Sequence, residues 1–217
     1  MCFSASASFG ISAVLLGGGI ATIKKVQHPS QLPFAAIPII FSLQQFTEGF
    51  VWLGLTNPAW AGHLHWATYA FLIFAQVVWP IWVPLSIRMM EEEAKRKKIL
   101  DIFLVLGTMV GIYLAYCLFT FPVKPVVDSH HIHYDLDFPN YYLPFSAMFY
   151  FIPTVVSPFI SSAKKMPVLG AVLLASFIVS KLFFQGNVIS VWCFFAAVLS
   201  ITVYIVVSAR PVSNPQL

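Results

Sequence analysis

Long apolar runs alternate with short polar segments along this chain. Each of seven runs approaches the length of about 20 residues that a helix needs to cross the hydrocarbon core of a bilayer. The runs cover residues 6–23, 33–55, 66–87, 99–121, 141–161, 167–184 and 188–208. This pattern predicts an all-α fold, a polytopic membrane helix bundle with seven transmembrane helices. No linker interrupts it, so residues 1–217 are interpreted as a single transmembrane domain.

The composition indicates that lipid surrounds most of the chain. Hydrophobic residues make up 59% and charged residues 9% of the sequence, whereas about 25% of a typical globular chain is charged. A core of this size has no room for so many apolar side chains, so the lipid bilayer is the expected partner. The formal charge of +4 does not indicate nucleic-acid binding, because the lysines lie in short loops.

The basic residues predict the orientation of the chain in the membrane. Loops on the cytoplasmic side of membrane proteins are enriched in Lys and Arg. The segments that follow the first, third, fifth and seventh runs hold ten of the twelve Lys and Arg residues. The N-terminus is therefore expected outside and the C-terminus inside. We interpret the inner segment EEEAKRKK, residues 91–98, as a solvated helix end without a function of its own.

The second run contains polar residues in a stretch that is otherwise apolar. The segment QQFTEGFVW holds Gln44, Gln45 and Glu48. Gln44, Glu48 and Trp52 are spaced by four residues and therefore share one helix face. An ionised acid at the centre of a membrane helix costs at least about 2.5 kcal/mol. Glu48 is thus expected to face the bundle interior, where it is paired, protonated or hydrated, and this face becomes the candidate ligand-binding site.

Lys181, in the sixth run, is one expected partner of Glu48. Both residues lie outward of the middle of their helices at a matching depth, which favours an ion pair. Lysines that lie one turn from the membrane interface also extend their ammonium group into water, a behaviour called snorkelling. Both interpretations stay open at this point.

The third run supplies two further candidates. Gln76 lies near its middle and is placed to hydrogen-bond Gln44 or Gln45 across helices. Trp79 follows in the segment WPIWVP and is too deep for the aromatic belt at the membrane interface. It is expected either to line a cavity beside the helix of Glu48 or to belong to the packed core.

Small residues recur along the first run, at Ser6, Gly10, Ala13, Gly17 and Ala21. This spacing permits close contact between helices. We expect the stripe to pack inside the bundle rather than to mediate dimerisation.

The third outer segment, VVDSHHIHYDLDFPN, concentrates groups that bind metals. It contains Asp128, His130, His131 and His133, and imidazole with carboxylate suits zinc or copper. His131 and His133 share one face if the segment is extended. Cys2 would add a thiol and an α-amine if the initiator methionine is removed. The alternative is a solvated polar loop, since no CxxC or HExxH motif is present.

Three segments resemble a known family. The opening MCFSASASF, the stretch LPFAAIPIIFSLQQFTEGFVWLGL and the later WPIWVPL are similar to an uncharacterised family of bacterial membrane proteins with an MCFSA start, DUF6629. The resemblance is clear over roughly the first ninety residues. It implies a bacterial inner-membrane location, and it places Cys2, Gln45, Glu48, Trp52 and Trp79 at family motif positions. It implies a site without naming its chemistry.

Three functions fit these observations. The first is a module that binds a small-molecule ligand or metal in a polar cavity that opens outward. The second is a membrane-embedded enzyme, with or without a metal ion, that uses Glu48 as acid or base. The third is a proton-coupled transporter that titrates Glu48. We rank binding first, because an enzyme requires a recognisable nucleophile, base and orienting group, and many transporters are built from internal repeats that this sequence does not show.

Overall fold

The computed structural model describes residues 4–128, 130–139, 144–183, 189–190 and 195–209. Most of these residues are helical. The helices are α1 (Ala5–Ile23), α2 (Leu32–Ala35), α3 (Ile37–Thr56), α4 (Leu64–Leu72), α5 (Trp79–Met90), α6 (Ala94–Thr120), α7 (Pro144–Phe151), α8 (Ser157–Ile160), α9 (Met166–Phe183) and α10 (Ala196–Ser208). An antiparallel hairpin of β1 (Val123–Asp128) and β2 (His131–Leu136) separates α6 from α7.

Five helical segments of the described residues are long and apolar enough to cross a membrane. They are Ala5–Ile23, Pro29–Thr56, Pro58–Met90, Ala94–Thr120 and Met166–Phe183. They correspond to the first four predicted runs and the sixth. The fifth and seventh runs correspond to two shorter apolar helices, Met148–Ile160 and Val198–Ser208. Both of those runs extend into residues outside the described ranges.

Two of the helical segments contain π-helical turns. Ile73–Val78 joins α4 to α5, and Ile152–Val156 joins α7 to α8. In a π-helical turn the N–H of one residue donates to the carbonyl five residues earlier. Pro80 follows the first of these turns and has no N–H to donate. The Tyr150 hydroxyl donates to the carbonyl oxygen of Ala75 at 2.6 Å. The Tyr150 side chain, from another helix, thus supplies the hydrogen bond that Pro80 cannot donate to this carbonyl.

Helix α6 packs closely on this proline kink. A Cβ atom at Gly107 would clash with the carbonyl oxygen of Pro80, and one at Gly111 would lie 2.9 Å from the Ile81 side chain. Gly107 and Gly111 form a GxxxG spacing, which brings helix backbones together in membranes. The two glycines therefore fix α6 against the segment that carries Gln76 and Trp79.

The small-residue stripe of α1 lies elsewhere than predicted. Its members Ser6, Gly10, Ala13, Gly17 and Ala21 are all exposed. The face of α1 that packs on α3 carries the buried residues Ser8, Ser12, Leu15, Gly19 and Thr22. The Ser12 hydroxyl donates to the Ser42 carbonyl at 2.8 Å, and the Ser42 hydroxyl donates to the Ser12 carbonyl at 2.8 Å. These reciprocal bonds orient α1, so the expectation of a stripe packed inside the bundle was wrong.

Buried apolar side chains form two clusters. The hairpin-end cluster comprises Val51, Trp52, Ala67, Phe71, Leu72, Ala75, Cys117, Leu118, Ile132, Tyr134, Leu136 and Phe138. The basic-end cluster lies toward the lysine-rich loops and includes Leu15, Phe34, Phe41, Trp79, Val83, Leu169, Leu173 and Val203. On α3 the basic-end cluster stops at Phe41 and the hairpin-end cluster starts at Val51. Polar residues occupy the interval between them.

The segment EEEAKRKK is not simply a solvated helix end. Glu91 is 2% exposed and accepts hydrogen bonds from the Ser162 backbone N–H at 2.7 Å and hydroxyl at 2.6 Å. Burial raises the pKa of Glu91, but the bonds from Ser162 and from the Glu93 backbone N–H outweigh burial and hold it below its usual value. Arg96 also donates to the Ile160 carbonyl at 2.9 Å. The segment therefore links two loops at the basic end.

Candidate functional site

The site begins with three polar side chains on α3. Gln44, Gln45 and Glu48 are 0% exposed, so each faces the interior of the bundle as predicted. A buried polar group is costly unless it is hydrogen-bonded. The contacts of these side chains therefore determine how the surrounding helices are arranged.

The carboxylate of Glu48 is held by bonds from two elements. The Gln45 Nε2 atom donates to its Oε2 at 3.0 Å. The Ser190 hydroxyl, more than a hundred residues away, donates to its Oε1 at 2.8 Å. Ser190 is itself 0% exposed. We did not identify Ser190 from the sequence, although a serine in an apolar run signals a hydrogen bond within or between membrane helices.

Trp79 joins the third membrane segment to α3. Its indole Nε1 atom donates to the Gln44 Oε1 atom at 2.7 Å, and its ring stacks on Phe41 with 3.9 Å between ring centroids. The predicted position of Trp79 beside the helix of Glu48 is thus found. Gln44 accepts from Trp79, and among the described residues Gln76 bonds to neither Gln44 nor Gln45, the two partners expected from the sequence.

Gln76 lies in the π-helical turn one helical turn before Trp79. Successive membrane segments run in opposite directions, so the bond between Trp79 and Gln44 sets Gln76 at about the depth of Glu48. Gln76 is 5% exposed, and its Oε1 atom has no hydrogen-bond partner among the described residues. π-Helical turns occur frequently at functional sites. This buried acceptor is therefore a candidate ligand contact.

Trp52 lies one turn beyond Glu48 on the same face of α3. It is 4% exposed, and its indole Nε1 donor has no hydrogen-bond partner in the part of the chain that the structure describes. Two buried hydroxyls, those of Ser8 and Ser180, also have none. We call the set of Gln44, Gln45, Glu48, Gln76 and Ser190 the polar layer, because it separates the two apolar clusters. A buried donor on Trp52, one turn beyond Glu48, and a buried acceptor on Gln76 thus have no hydrogen-bond partner among the described residues.

The residues of the polar layer are at most 5% exposed, whereas the sequence led us to expect a cavity that opens outward. The β-hairpin covers this end of the bundle with Ile132, Tyr134 and Leu136, which are at most 5% exposed. The Tyr134 ring stacks on Phe71 with 5.0 Å between ring centroids. The physical reason is the alternation of β2, since every second side chain points away from water and packs on the helices.

Lys181 follows the snorkelling alternative. It lies exposed in the last turn of α9, with its Nζ atom 6.0 Å from the centroid of the Phe177 ring. Within the described residues, its interactions do not include an ion pair with the fully buried Glu48. The flexible lysine stem reaches water at the end of the helix, which costs less than burying the charge.

The candidate metal ligands lie on the hairpin. The register sets Asp128 opposite His131 and Val126 opposite His133, so His131 and His133 share one face as expected. We call this face, with Lys124, Val126, Asp128, His131, His133 and Asp135, the polar face of the hairpin. In the described part of the chain, no three His, Cys, Asp or Glu side chains form a group that would hold a metal ion. Cys2 lies outside the described residues.

The strand geometry explains why these groups do not converge. Side chains two residues apart on a strand are separated by about 6.5 Å along it, and His130 lies in the turn. Burial lowers the pKa of His131, and the charge of His130 acts in the same direction while Asp128 opposes it. Zinc or copper binding at this face stays a prediction without support from the geometry of the described residues.

Comparison with known proteins gives one match. A model of the family described as "Family of unknown function (DUF6629)" matches residues 1–216. No curated protein and no solved structure matches the chain. The family match extends well beyond the first ninety or so residues in which the similarity is clearest by eye. It includes every residue of the polar layer and of the hairpin.

Proposed function

The chain belongs to the DUF6629 family, and we propose that it is a seven-span membrane protein that binds a small polar ligand in the polar layer around Glu48. The proposed orientation has the N-terminus and the hairpin outside and the C-terminus inside, in the inner membrane of a bacterium. The basic residues Arg88, Arg96 and Lys164 flank loops at the end of the bundle opposite the hairpin. Their position supports this orientation through the enrichment of cytoplasmic loops in Lys and Arg.

One observation carries the proposal of ligand binding. Gln76 Oε1 and Trp52 Nε1 are buried polar atoms without hydrogen-bond partners among the described residues. Trp52 lies one turn from Glu48 on α3, and Gln76 lies one turn from Trp79, which bonds to Gln44. Each such atom costs about 1–3 kcal/mol when it is left unsatisfied. A ligand that donates to Gln76 and accepts from Trp52 removes both costs. The ligand class is therefore a small molecule with a donor and an acceptor, such as a short alcohol or amide.

The orientation of Glu48 supports the same class. Its two oxygens already accept hydrogen bonds from Gln45 and Ser190, which fixes the plane of the carboxylate. A fixed carboxylate beside a free acceptor and a free donor discriminates among ligands by the positions of their polar atoms.

The proposal is tested by extraction of bound molecules. Full-length protein is purified in detergent, denatured, and its small-molecule content is measured by mass spectrometry. We expect one compound near stoichiometric amount in the wild type and its loss in Gln76→Leu. Ser42→Ala is the matched control, because it removes a buried hydroxyl of α3 that is bonded to α1. Equal content in all three proteins, or none in any, contradicts ligand binding at this layer.

A second candidate function is acyl transfer. The Ser190 hydroxyl lies 2.8 Å from a Glu48 oxygen, and Gln45 orients the same carboxylate. A hydroxyl, a base and an orienting group in hydrogen-bond contact are the elements of an activated nucleophile. The test is covalent labelling by a fluorophosphonate probe. Labelling of the wild type that disappears in Ser190→Ala supports the enzyme, and absence of labelling in both proteins opposes it.

A further inference from the structure

A second site candidate lies at the hairpin end, apart from the polar layer. A groove of about 470 Å³ separates the start of α4 from strand β1. This volume falls in the range of about 300–1,000 Å³ that is typical of small-molecule sites. Its walls are formed by Ala61, Leu64, His65, Thr68, Tyr69 and residues 123–126. None of these residues belongs to the polar layer.

The walls provide one full positive charge. Lys124 is exposed and is the only wall residue that is charged at neutral pH when histidine is neutral. His65, also exposed, adds an imidazole. The Thr68 hydroxyl donates to the Leu64 carbonyl at 2.8 Å and is therefore occupied. Asp135 is the cross-strand neighbour of Lys124 and reduces the local charge. The groove thus favours a singly charged anion over a multiply charged one.

The groove is continuous with an apolar surface. The His65 and Tyr69 rings lie 4.5 Å apart, and Tyr69 stacks on Phe119 with 6.0 Å between ring centroids. Phe119 is 69% exposed and Tyr116 is 61% exposed on the same helix. In a membrane helix, exposed aromatic side chains near the end of the span face lipid at the level of the headgroups.

We propose that this groove binds the phosphate-bearing headgroup of an anionic membrane lipid. Lys124 holds the phosphate, His65 donates or accepts at the polar part of the headgroup, and the acyl chains lie along Tyr69 and Phe119. A diester phosphate carries a single negative charge, and Lys124 is the one lysine among the described wall residues that can contact it. The position of the groove, between a polar strand and an exposed aromatic surface, favours a lipid over a water-soluble anion.

Native mass spectrometry of the full chain in detergent tests the lipid site. The protein is titrated with phosphatidylglycerol, and the bound fraction is compared with that of Lys124→Gln. Loss of one lysine near a lipid headgroup is expected to lower affinity about fivefold. Lys181→Gln is the matched control, because Lys181 is also an exposed lysine, at a helix end outside the groove. It is expected to bind as the wild type does.

Two further titrations distinguish the possible occupants. Phosphatidylcholine is expected to bind more weakly than phosphatidylglycerol, and inorganic phosphate is expected not to displace the lipid. Equal binding of both lipids, or equal losses in Lys124→Gln and Lys181→Gln, overturns the proposal. Displacement by inorganic phosphate assigns the groove to a soluble anion and also overturns it. Both substitutions are of exposed side chains, and unchanged thermal unfolding confirms that the variants are folded.

Discussion

The polar layer and the polar face of the hairpin contain similar functional groups in opposite surroundings. In the layer, Gln44, Gln45 and Glu48 are fully buried and are bonded to one another and to other elements. On the hairpin, His133 is half-buried and Asp135 is exposed, on a two-stranded surface. Burial forces polar groups to find partners, whereas water satisfies polar groups on a surface. The contacts of the layer therefore fix its position among the helices, whereas the hairpin face keeps part of its polar surface in water.

This contrast shows that residue type and burial can favour different candidate sites in the same protein. A cluster of histidines and aspartates in sequence suggests a metal, but strand geometry spreads those side chains along the hairpin. Three polar residues in an apolar run look less specific, yet they converge with Trp79 and Ser190. In a membrane protein, the free-energy cost of burial is thus a better guide to a site than the identity of the side chains.

The largest effect is expected from Glu48→Leu. This change leaves the donors of Gln45 and Ser190 buried without their acceptor, so unfolding free energy in detergent should fall by about 3 kcal/mol. Denaturant unfolding followed by tryptophan fluorescence measures it. Glu48→Gln retains an acceptor and should recover most of the loss. A Leu variant as stable as the wild type would show that the layer does not depend on Glu48.

The next largest loss of stability is expected in α6, the helix that packs on the segment carrying Gln76 and Trp79. Gly107→Ala places a methyl group against the Pro80 carbonyl, and such overpacking should cost about 2 kcal/mol. Gly17→Ala on α1 is the control, because its added methyl has nothing within 4 Å. It should be neutral or stabilising by at most about 1 kcal/mol. Thermal unfolding of both variants measures the difference, and equal losses would mean that the kink is not closely packed.

At Gln76 we expect a smaller change in the free energy of unfolding, in the stabilising direction. Gln76→Leu removes a buried acceptor that has no partner, so the ligand-free protein should gain about 1 kcal/mol in unfolding free energy. Gln44→Leu is the matched change, because it breaks the bond from Trp79 and should lose about 1 kcal/mol. If Gln76→Leu is instead destabilising in ligand-free protein, the Gln76 side chain has a structural role and the binding proposal loses its basis.

The sequence predicted the burial of three residues of the layer, because the signal for burial is local. An apolar run interrupted at Gln44, Gln45 and Glu48 identifies an interior helix face from spacing alone, and all three residues are buried. Ser190 was not found, since a serine in an apolar helix gives no indication of which distant carboxylate it will meet. The same limit applies to Glu91, whose partner Ser162 lies in another loop.

The hairpin and the small-residue stripe of α1 show a second limit of prediction from the sequence, which concerns the interpretation of a residue pattern. The residues Ile132, Tyr134 and Leu136 alternate with polar ones, a pattern typical of a half-buried strand, but the segment was interpreted as an outer loop. The small residues of α1 permit close packing without stating which helix approaches, and the hydroxyl pair of Ser12 and Ser42 directs another face inward. The Gly107 and Gly111 spacing, by contrast, does mark a close contact.

The smallest effect is expected on the hairpin. Burial holds the pKa of His131 below its usual value, so the unfolded chain binds a proton before the folded protein does. The contribution of His131 to stability is present above the ordinary histidine pKa of about 6.5, and it is lost as the pH falls through the lower pKa that His131 has in the folded protein.

His131→Asn should therefore flatten the decline in thermal stability between about pH 7 and pH 5. His133→Asn, the same substitution at a half-buried neighbour on the same face, is measured beside it to separate the effect of burial at His131 from that of losing any hairpin histidine. An unaltered slope in His131→Asn would show that burial of this histidine contributes nothing to stability. Burial of polar groups would then affect stability in the polar layer but not on the hairpin.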